Sequence, residues 1–415
     1  MLALDRGAPI RRGPSPYKCI GGNLLGKEEI ALVKEVIGSQ TLFRHYGPKP
    51  PHMVDDLEQE FCRFIGTRYA LATSTGSGAY FCAAAALEIR EGDEVIMPAY
   101  GWITDYNAVA FTGATPVFAD IDESLNISPE AFERKITPRT KAVIVIHYQG
   151  GASRLDKIVE IARKRGVKVV EDVAQSCGGS FGGRKLGTWG DIACFSLQAH
   201  KMITTGDGGF LTTDSQEVYE KAVRFHDLGL LRERFVRNLE SPVKTGPLCG
   251  MQWRMSELGG AVGLAQLRKL PRMVETVHAN FLRVRDELGK RFPKIRFRRV
   301  RTEDDIGITL AIDVESEPNV KYFQKAWEAE GLAYGSTSYC QTMGDIEVVR
   351  ALLQDAGRYD PADFDVTREI EQRFAMVAML PVHARRDVEE ISRGMIKVLG
   401  AMEKKKMIWT GGEQE

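Results

Sequence analysis

At 415 residues the chain exceeds one average domain and suits a large domain with a smaller companion. Its 43% hydrophobic and 27% charged residues are the mix of a globular protein, and the 56 basic and 56 acidic residues cancel, which excludes a net field that would draw nucleic acid or an anionic membrane. The seven cysteines contain no C-x-x-C pair, which argues against a disulfide framework and a zinc site and fits a reducing cytoplasm.

The opening MLALDRGAPIRRGPSPYK has no apolar core of signal-peptide length, and no run is long enough to span a bilayer, so the expected location is cytoplasmic. Residues 1–22, rich in Arg, Gly and Pro, read as an irregular arm. The spacing of Ile30, Val33, Val36 and Ile37 predicts a helix over Gly26–Ile37. Leu42–Met53 reads as a loop, and Val54–Ile65 returns to helical spacing. From Tyr69 short apolar strands alternate with helices. The strands are expected at Tyr69–Thr73, Glu94–Pro98, Thr115–Ala119, Ala142–His147, Val167–Glu171 and Ile192–Leu197. The helices are expected near Gly78–Ile89, Ile103–Phe111, Pro129–Arg134 and Arg154–Arg165. This βαβ alternation predicts an α/β fold whose mostly parallel sheet is covered by helices on both faces, with ligands bound at the carboxyl ends of the strands.

Further on, a helix is expected at Val218–Leu228, then a polar loop at Arg232–Leu248 and a helix at Ser256–Leu270. Pro271 is expected to end that helix before a separate amphipathic one, Val274–Arg291. A strand near Gly307–Val314 and helices near Val320–Glu330, Arg368–Phe374 and Val388–Leu399 predict an α+β lobe. The expected division is an arm over 1–22, a large domain over 23–275, a small one over 276–403 and a frayed tail from Lys404 to Glu415. Basic runs such as Arg296–Arg301 read as solvated faces.

The chemistry concentrates in Cys194–Gly209, CFSLQAHKMITTGDGG. A short apolar strand runs into a bend carrying one lysine, Lys201. An amine withdrawn from water is costly as the ammonium and becomes a nucleophile for carbonyl groups. For a lone lysine a surface loop is the commoner outcome; three upstream features change the odds. Ser74-Thr75-Gly76-Ser77-Gly78 follows a strand and opens a helix, where free N–H groups and the Ser77 hydroxyl suit a phosphate. Tyr100-Gly101-Trp102 puts aromatics past another strand, able to cover a flat ring. VVEDVAQ (169–175) ends a third strand on Asp172, a carboxylate that needs a cationic partner there. Together they describe a site for pyridoxal 5′-phosphate (PLP), with Lys201 condensing with its aldehyde and Asp172 pairing with its ring nitrogen.

Four stretches carry a resemblance: GDEVIMPAYGWITDYNAVAFTGATPVFADID (92–122), VVEDVAQSCGGSFGGRKLGTWGD (169–191), FSLQAHKMITTGDGG (195–209) and GMQWRMSELGGAVGLAQL (250–267). They resemble the DegT/StrS family of sugar aminotransferases, of the type I aspartate-aminotransferase fold. The resemblance implies Lys201 and Asp172 as the catalytic pair. It implies Trp102 stacked on the ring, Gln175 near the ring hydroxyl, and Gly76, Ser77, Gly78 and Ser196 around the phosphate. It also implies a homodimer with shared active sites, in which Gly250–Arg254 reaches the neighbouring site; Gln252 stands where the family usually has asparagine, and Arg254 matches the pattern. Gln198 resembles the branch that aminates cyclitol ketones, often from glutamine. FADIDESLNISPEAFERKITPRTKAV and VGLAQLRKL instead resemble enzymes that aminate an octulosonic acid.

The expectation is therefore a PLP-dependent aminotransferase that uses glutamate or glutamine to aminate a keto-sugar, sugar nucleotide or cyclitol. A PLP-dependent sugar dehydratase is a rival on the same scaffold, although that branch replaces the lysine with histidine. A non-catalytic cofactor- or sugar-binding regulator is a more distant one. His147, at a strand end, is a candidate to line the substrate pocket, with a core role equally open. His200 is expected to point away from the pocket, and the cysteines are expected to be packing residues. No metal is expected.

Overall fold

The computed structural model describes residues 1–13, 24–333 and 340–409. Its central sheet has seven strands in the spatial order Tyr69–Thr73, Gly209–Thr213, Ile192–Ser196, Lys168–Asp172, Thr140–Ile146, Glu94–Pro98, Thr115–Ala119. All neighbours run parallel except Gly209–Thr213, which is antiparallel to both of its partners. Side chains alternate between two apolar layers. Ile96, Val143, Val145, Val169 and Phe195 enter one, while Val95, Met97, Ile144, Val170 and Cys194 enter the other. Burial on both faces explains why these strands read as near-continuous apolar runs.

The strand Gly209–Thr213 was not expected. Its residues follow the Gly-Asp-Gly-Gly turn and end in two threonines, so it lacks the apolar run of its neighbours. It forms because its five residues fill the gap between Tyr69–Thr73 and Ile192–Ser196 and are all buried there.

The helix at Gly76–Ala86 begins two residues earlier than expected, capped by Thr75, whose Oγ1 accepts the Gly78 N–H at 2.8 Å. Pro271 does not end a helix: Glu257–Arg291 is continuous, capped by Ser256. Leu264, Leu267 and Leu270 before the proline and Met273, Val277, Phe281, Val284 and Leu288 after it are all buried. Burying that stripe at about 1.5–3 kcal/mol per side chain outweighs the ~3 kcal/mol of an interior proline.

The long helix leads to a three-stranded antiparallel sheet of Arg296–Phe297, Thr309–Asp313 and Phe374–Ala378. Helix Glu317–Ala329 packs against Phe374–Ala378, and Arg385–Lys404 packs against the long helix and Glu317–Ala329. Phe374 opens a strand instead of closing a helix, which ends at Glu371. Residues 1–13 of the expected arm lie against this lobe: Leu2 is buried, and the Glu330 carboxylate accepts the N–H groups of Ala3 at 2.8 Å and Ile10 at 3.1 Å. Residues 14–22 lie outside the described residues.

The tail is not frayed as far as Trp409. Ile408 and Trp409 are buried, and the Asn319 amide donates to the Met407 carbonyl at 2.6 Å. Residues 410–415 lie outside the described residues. The two lobes meet where Gln341–Thr342 pairs with Tyr100–Gly101, with Met343 N–H donating to Ala99 O at 2.7 Å. This contact holds the loop that carries Trp102. Among the described residues no helix is long and apolar enough to cross a membrane.

Candidate active site

A cavity of about 560 Å³ opens at the carboxyl ends of the parallel strands. Lys201, Asp172, Trp102, Gln175, Ser196, Gln198, Gly76 and Ser77 all line it. The strand Ile192–Ser196 ends at Ser196, and the bend that follows is closed by the Lys201 N–H donating to Gln198 O at 2.9 Å. Lys201 is half-buried at the cavity wall. Asp172 ends its strand in register with Ile146 and Cys194, and its Oδ1 accepts the Ala174 N–H at 2.7 Å.

The anion end is built by close backbone approach. A Cβ on Gly76 would stand 2.9 Å from Ser196 Cβ, so only glycine lets the helix start sit against Ser196. The first N–H groups of a helix have no partner within it; Gly76 and Ser77, at this start, line the cavity, and Ser77 Oγ lies 3.2 Å from Thr104 Oγ1. Gly78 plays a different part from the one expected: its N–H is taken by Thr75, and a Cβ on it would meet the Trp253 ring at 2.9 Å. It does not line the cavity.

Gln175 is positioned from both lobes. Its Oε1 accepts the Gln149 side-chain N–H at 3.1 Å and its Nε2 donates to Cys340 Sγ at 3.1 Å. Trp102, 46% exposed, stands at the mouth as the N-cap of Ile103–Ala110.

Electrostatics are most unusual around Asp172. Burial raises its pKa, against the Tyr80 hydroxyl, the Ala174 N–H and the Lys201 and His147 charges that lower it. Burial also raises Asp105 well above the usual carboxylate range, with the Asp172 charge adding to the effect.

His147 is not a pocket residue. It is fully buried, its Nε2 lies 3.3 Å from Glu171 Oε2 and its Nδ1 accepts the Ser153 N–H at 3.1 Å. Gln252 and Arg254 also lie outside the cavity of their own chain. Gln252 bridges to Asp227, and Arg254 is ion-paired with Asp227 and lies over the Phe43 ring at 5.2 Å. His200, expected to point away, lines the cavity beside Lys201 because the bend brings consecutive side chains to one side; its N–H donates to Gln198 Oε1 at 2.8 Å. Cys340, read as packing, also lines it.

Sequence reasoning missed Tyr80, Thr104, Asp105 and Asp207. Tyr80 and Asp105 sit in helices where they pass for an apolar-face aromatic and a first-turn acid.

Residues 23–396 match the DegT/DnrJ/EryC1/StrS aminotransferase family, and the chain belongs to that family. Among solved structures it is similar to an aminotransferase from Psychrobacter cryohalolentis at 24% identity and a TM-score of 0.80, covering 95% of this chain and 100% of that one. The aminotransferase TlmJ from Streptoalloteichus hindustanus gives 25% identity and 0.77 over 91% and 97% of the two chains. PseC from Helicobacter pylori, an aminotransferase involved in pseudoaminic acid biosynthesis, gives 21% and 0.78 over 93% and 99%. The protein is a PLP-dependent aminotransferase of the type I fold. The cavity suits that cofactor: Gly76 leaves the space an anion needs, and the acid–tyrosine pair of Asp105 and Tyr80 offers buried polar atoms with no protein partner beside Asp172.

Proposed function

We propose that this enzyme moves an amino group from glutamate or glutamine to the carbonyl of a sugar, sugar nucleotide or cyclitol, as a homodimer with active sites shared between subunits. The observation that carries the reading is the convergence of Lys201 and Asp172, from different strands, on one cavity whose far end is a glycine-started helix. A sugar-type acceptor is supported by PseC, which serves pseudoaminic acid biosynthesis, and by the polar lining from Gln198, His200 and Asp207.

PLP, when bound, takes the amino group from the donor and gives it to the acceptor, its ring drawing in the electrons freed when the donor's Cα–H bond breaks. The start of Gly76–Ala86, Ser77 and Ser196 would hold the phosphate. Trp102 would cover the ring and Gln175 would meet its edge, while Asp172 would face the ring nitrogen as the carboxylate that favours its protonated form. Lys201 Nζ would be the amine that holds the aldehyde and the base that accepts the donor's Cα proton. Gln198 and His200 line the cavity and would offer polar groups to the acceptor. The dimer reading rests on Gly250–Arg254, held at the end of Tyr69–Thr73 by the Thr73–Arg254 bridge and outside its own cavity.

The test is mass spectrometry of products after incubation with PLP, glutamate or glutamine, and a panel of keto-sugars and keto-cyclitols. One acceptor class should gain an amino group in place of its oxo group while the donor is deaminated. Donor turnover with simple 2-oxo acids alone would overturn the sugar or cyclitol assignment.

A further inference from the structure

The turn Tyr148–Gly150 and the loop after Lys168–Asp172 are locked together: the Ser176 hydroxyl donates to His147 O at 2.6 Å and accepts the Gly150 N–H at 3.0 Å. Between these two bonds stands Gln149. It is 1% exposed, and its backbone is left-handed, at φ 48° and ψ 46°, a conformation that residues other than glycine rarely adopt. Such a backbone persists only where the surroundings hold the residue in place. Here the side chain does so, reaching from Thr309 on the small lobe's strand Thr309–Asp313 to Gln175 in the cavity wall.

The hydrogen bonds of this chain run in one direction. The oxygen and nitrogen ends of an amide are told apart by their partners, and one partner here can only donate: the Gln149 backbone N–H, which meets Gln175 at 3.4 Å, a long bond but one of fixed polarity. The Gln175 atom it meets is therefore Oε1. The Gln149 side-chain atom 3.1 Å from the same oxygen is then Nε2, which turns Gln149 Oε1 to Thr309, whose hydroxyl donates to it at 2.6 Å. With two donors on its oxygen, Gln175 is left with its NH2 end. One N–H goes to Cys340 Sγ at 3.1 Å, a weak acceptor, and the other has no partner among the described residues.

We propose that Gln149 is a positioning residue that sets the polarity of Gln175: it holds the Gln175 oxygen in the wall, so that this edge of the cavity presents an N–H donor and selects a ligand with an acceptor oxygen there. In the cofactor that oxygen is the ring hydroxyl, and the proposal rests on the reading that Gln175 would meet the ring beside it. A donor at that place favours the oxygen as its anion. Thr309, fully buried and not among the residues that line the cavity, supplies the first bond of the chain from the small lobe.

Two ligands separate this role from plain support of the fold: PLP and 3-deoxypyridoxal 5′-phosphate, which lacks only the ring hydroxyl. The apo-protein is titrated with each, followed by absorbance, and the readout is the preference, the ratio of the analogue's Kd to that of PLP. Gln149→Gly removes the shorter of the two bonds on Gln175 Oε1 and accepts the left-handed backbone without strain. It should lower the preference about threefold or more, and Gln175→Leu, which removes the donor itself, about tenfold or more. Thr309→Val removes the first donor alone and should lower it in the same direction. A variant that merely loosens the fold weakens both ligands alike and leaves the ratio where it was.

Loss of preference in all three variants supports the proposal. If Gln175→Leu loses it while Gln149→Gly or Thr309→Val keeps the wild-type ratio, the chain does not set the amide, and the proposal is overturned while the placement of Gln175 survives. If Gln175→Leu itself keeps the wild-type ratio, Gln175 does not meet the ring oxygen, and that placement and the proposal fall together. Should Gln149→Gly fail to fold, Gln149→Asn takes its place under the same expectations, since asparagine tolerates the left-handed backbone and is one methylene too short to span Thr309 and Gln175.

Discussion

Arg298 and Asp305 form a buried pair that ties the small lobe to the turn at Tyr148 and Gln149. The guanidinium meets Asp305 Oδ1 at 2.6 Å and donates to the carbonyls of Tyr148 and Gln149, each at 2.8 Å. Both side chains are within 3% of full burial. Gln149 in turn donates to Gln175, so the pair links the small lobe to a residue that lines the cavity. Arg298→Ala leaves a buried aspartate without its cation and should cost about 3–5 kcal/mol, while joint replacement of both by apolar residues of similar volume should cost less. Thermal unfolding of the three proteins checks this; equal losses for the single and double variants would show that the charges themselves do not matter.

Gly76 tests the phosphate end. Its missing Cβ is what allows the helix start to lie against Ser196. Gly76→Ala should push the two apart at about 1–3 kcal/mol and weaken PLP binding by roughly ten- to a hundredfold. Titration of the apo-protein with PLP, followed by absorbance, measures this. Wild-type affinity would place the phosphate elsewhere.

Glu371 gives a pH prediction. Burial lifts its pKa from the ordinary 4.5 to about 7, although the Thr342 hydroxyl donates to it at 2.8 Å. The folded state therefore holds a proton that the unfolded state releases near 4.5, and stability is lost as pH rises from about 4.5 to 7. Glu371→Gln removes that penalty and should be the more stable protein at pH 8, by roughly 3 kcal/mol. Melting temperatures at pH 4.5 and 8 for both proteins decide it; parallel pH dependence would contradict the burial argument.

The shared-site proposal is tested by mixing. Arg254 is held by Asp227, which Arg232 also contacts, so Arg254→Ala leaves Asp227 paired. A Lys201→Ala chain mixed with an Arg254→Ala chain should recover activity, because a mixed dimer keeps one site with both residues. No recovery, with subunit exchange verified, would confine Arg254 to its own chain's site or remove it from catalysis.

The parallel strands were legible because burial on both faces demands continuous apolar runs, and Tyr69–Thr73, Glu94–Pro98 and Thr115–Ala119 have the expected bounds. That Lys201, Asp172, Trp102 and Gln175 share one cavity was legible because each lies at or just after a strand's carboxyl end. What escaped was set by tertiary packing. Gly209–Thr213 becomes a strand through its neighbours, and Pro271 stays helical because Leu270 and Met273 are both buried. Asp105 and Tyr80 carry ordinary helical spacing, and only the folding of their helices onto Asp172 makes them part of the site. His147 shows the converse, since a strand-end position does not set which way a side chain faces.

The central claim, that Lys201 carries the cofactor, is tested most directly by reducing the PLP-loaded protein with borohydride and locating the label by peptide mass spectrometry. The label should fall on the peptide containing Lys201 and be absent from Lys201→Ala. A label on another lysine in the wild-type protein, or an equal yield of covalent label in Lys201→Ala, would contradict the account.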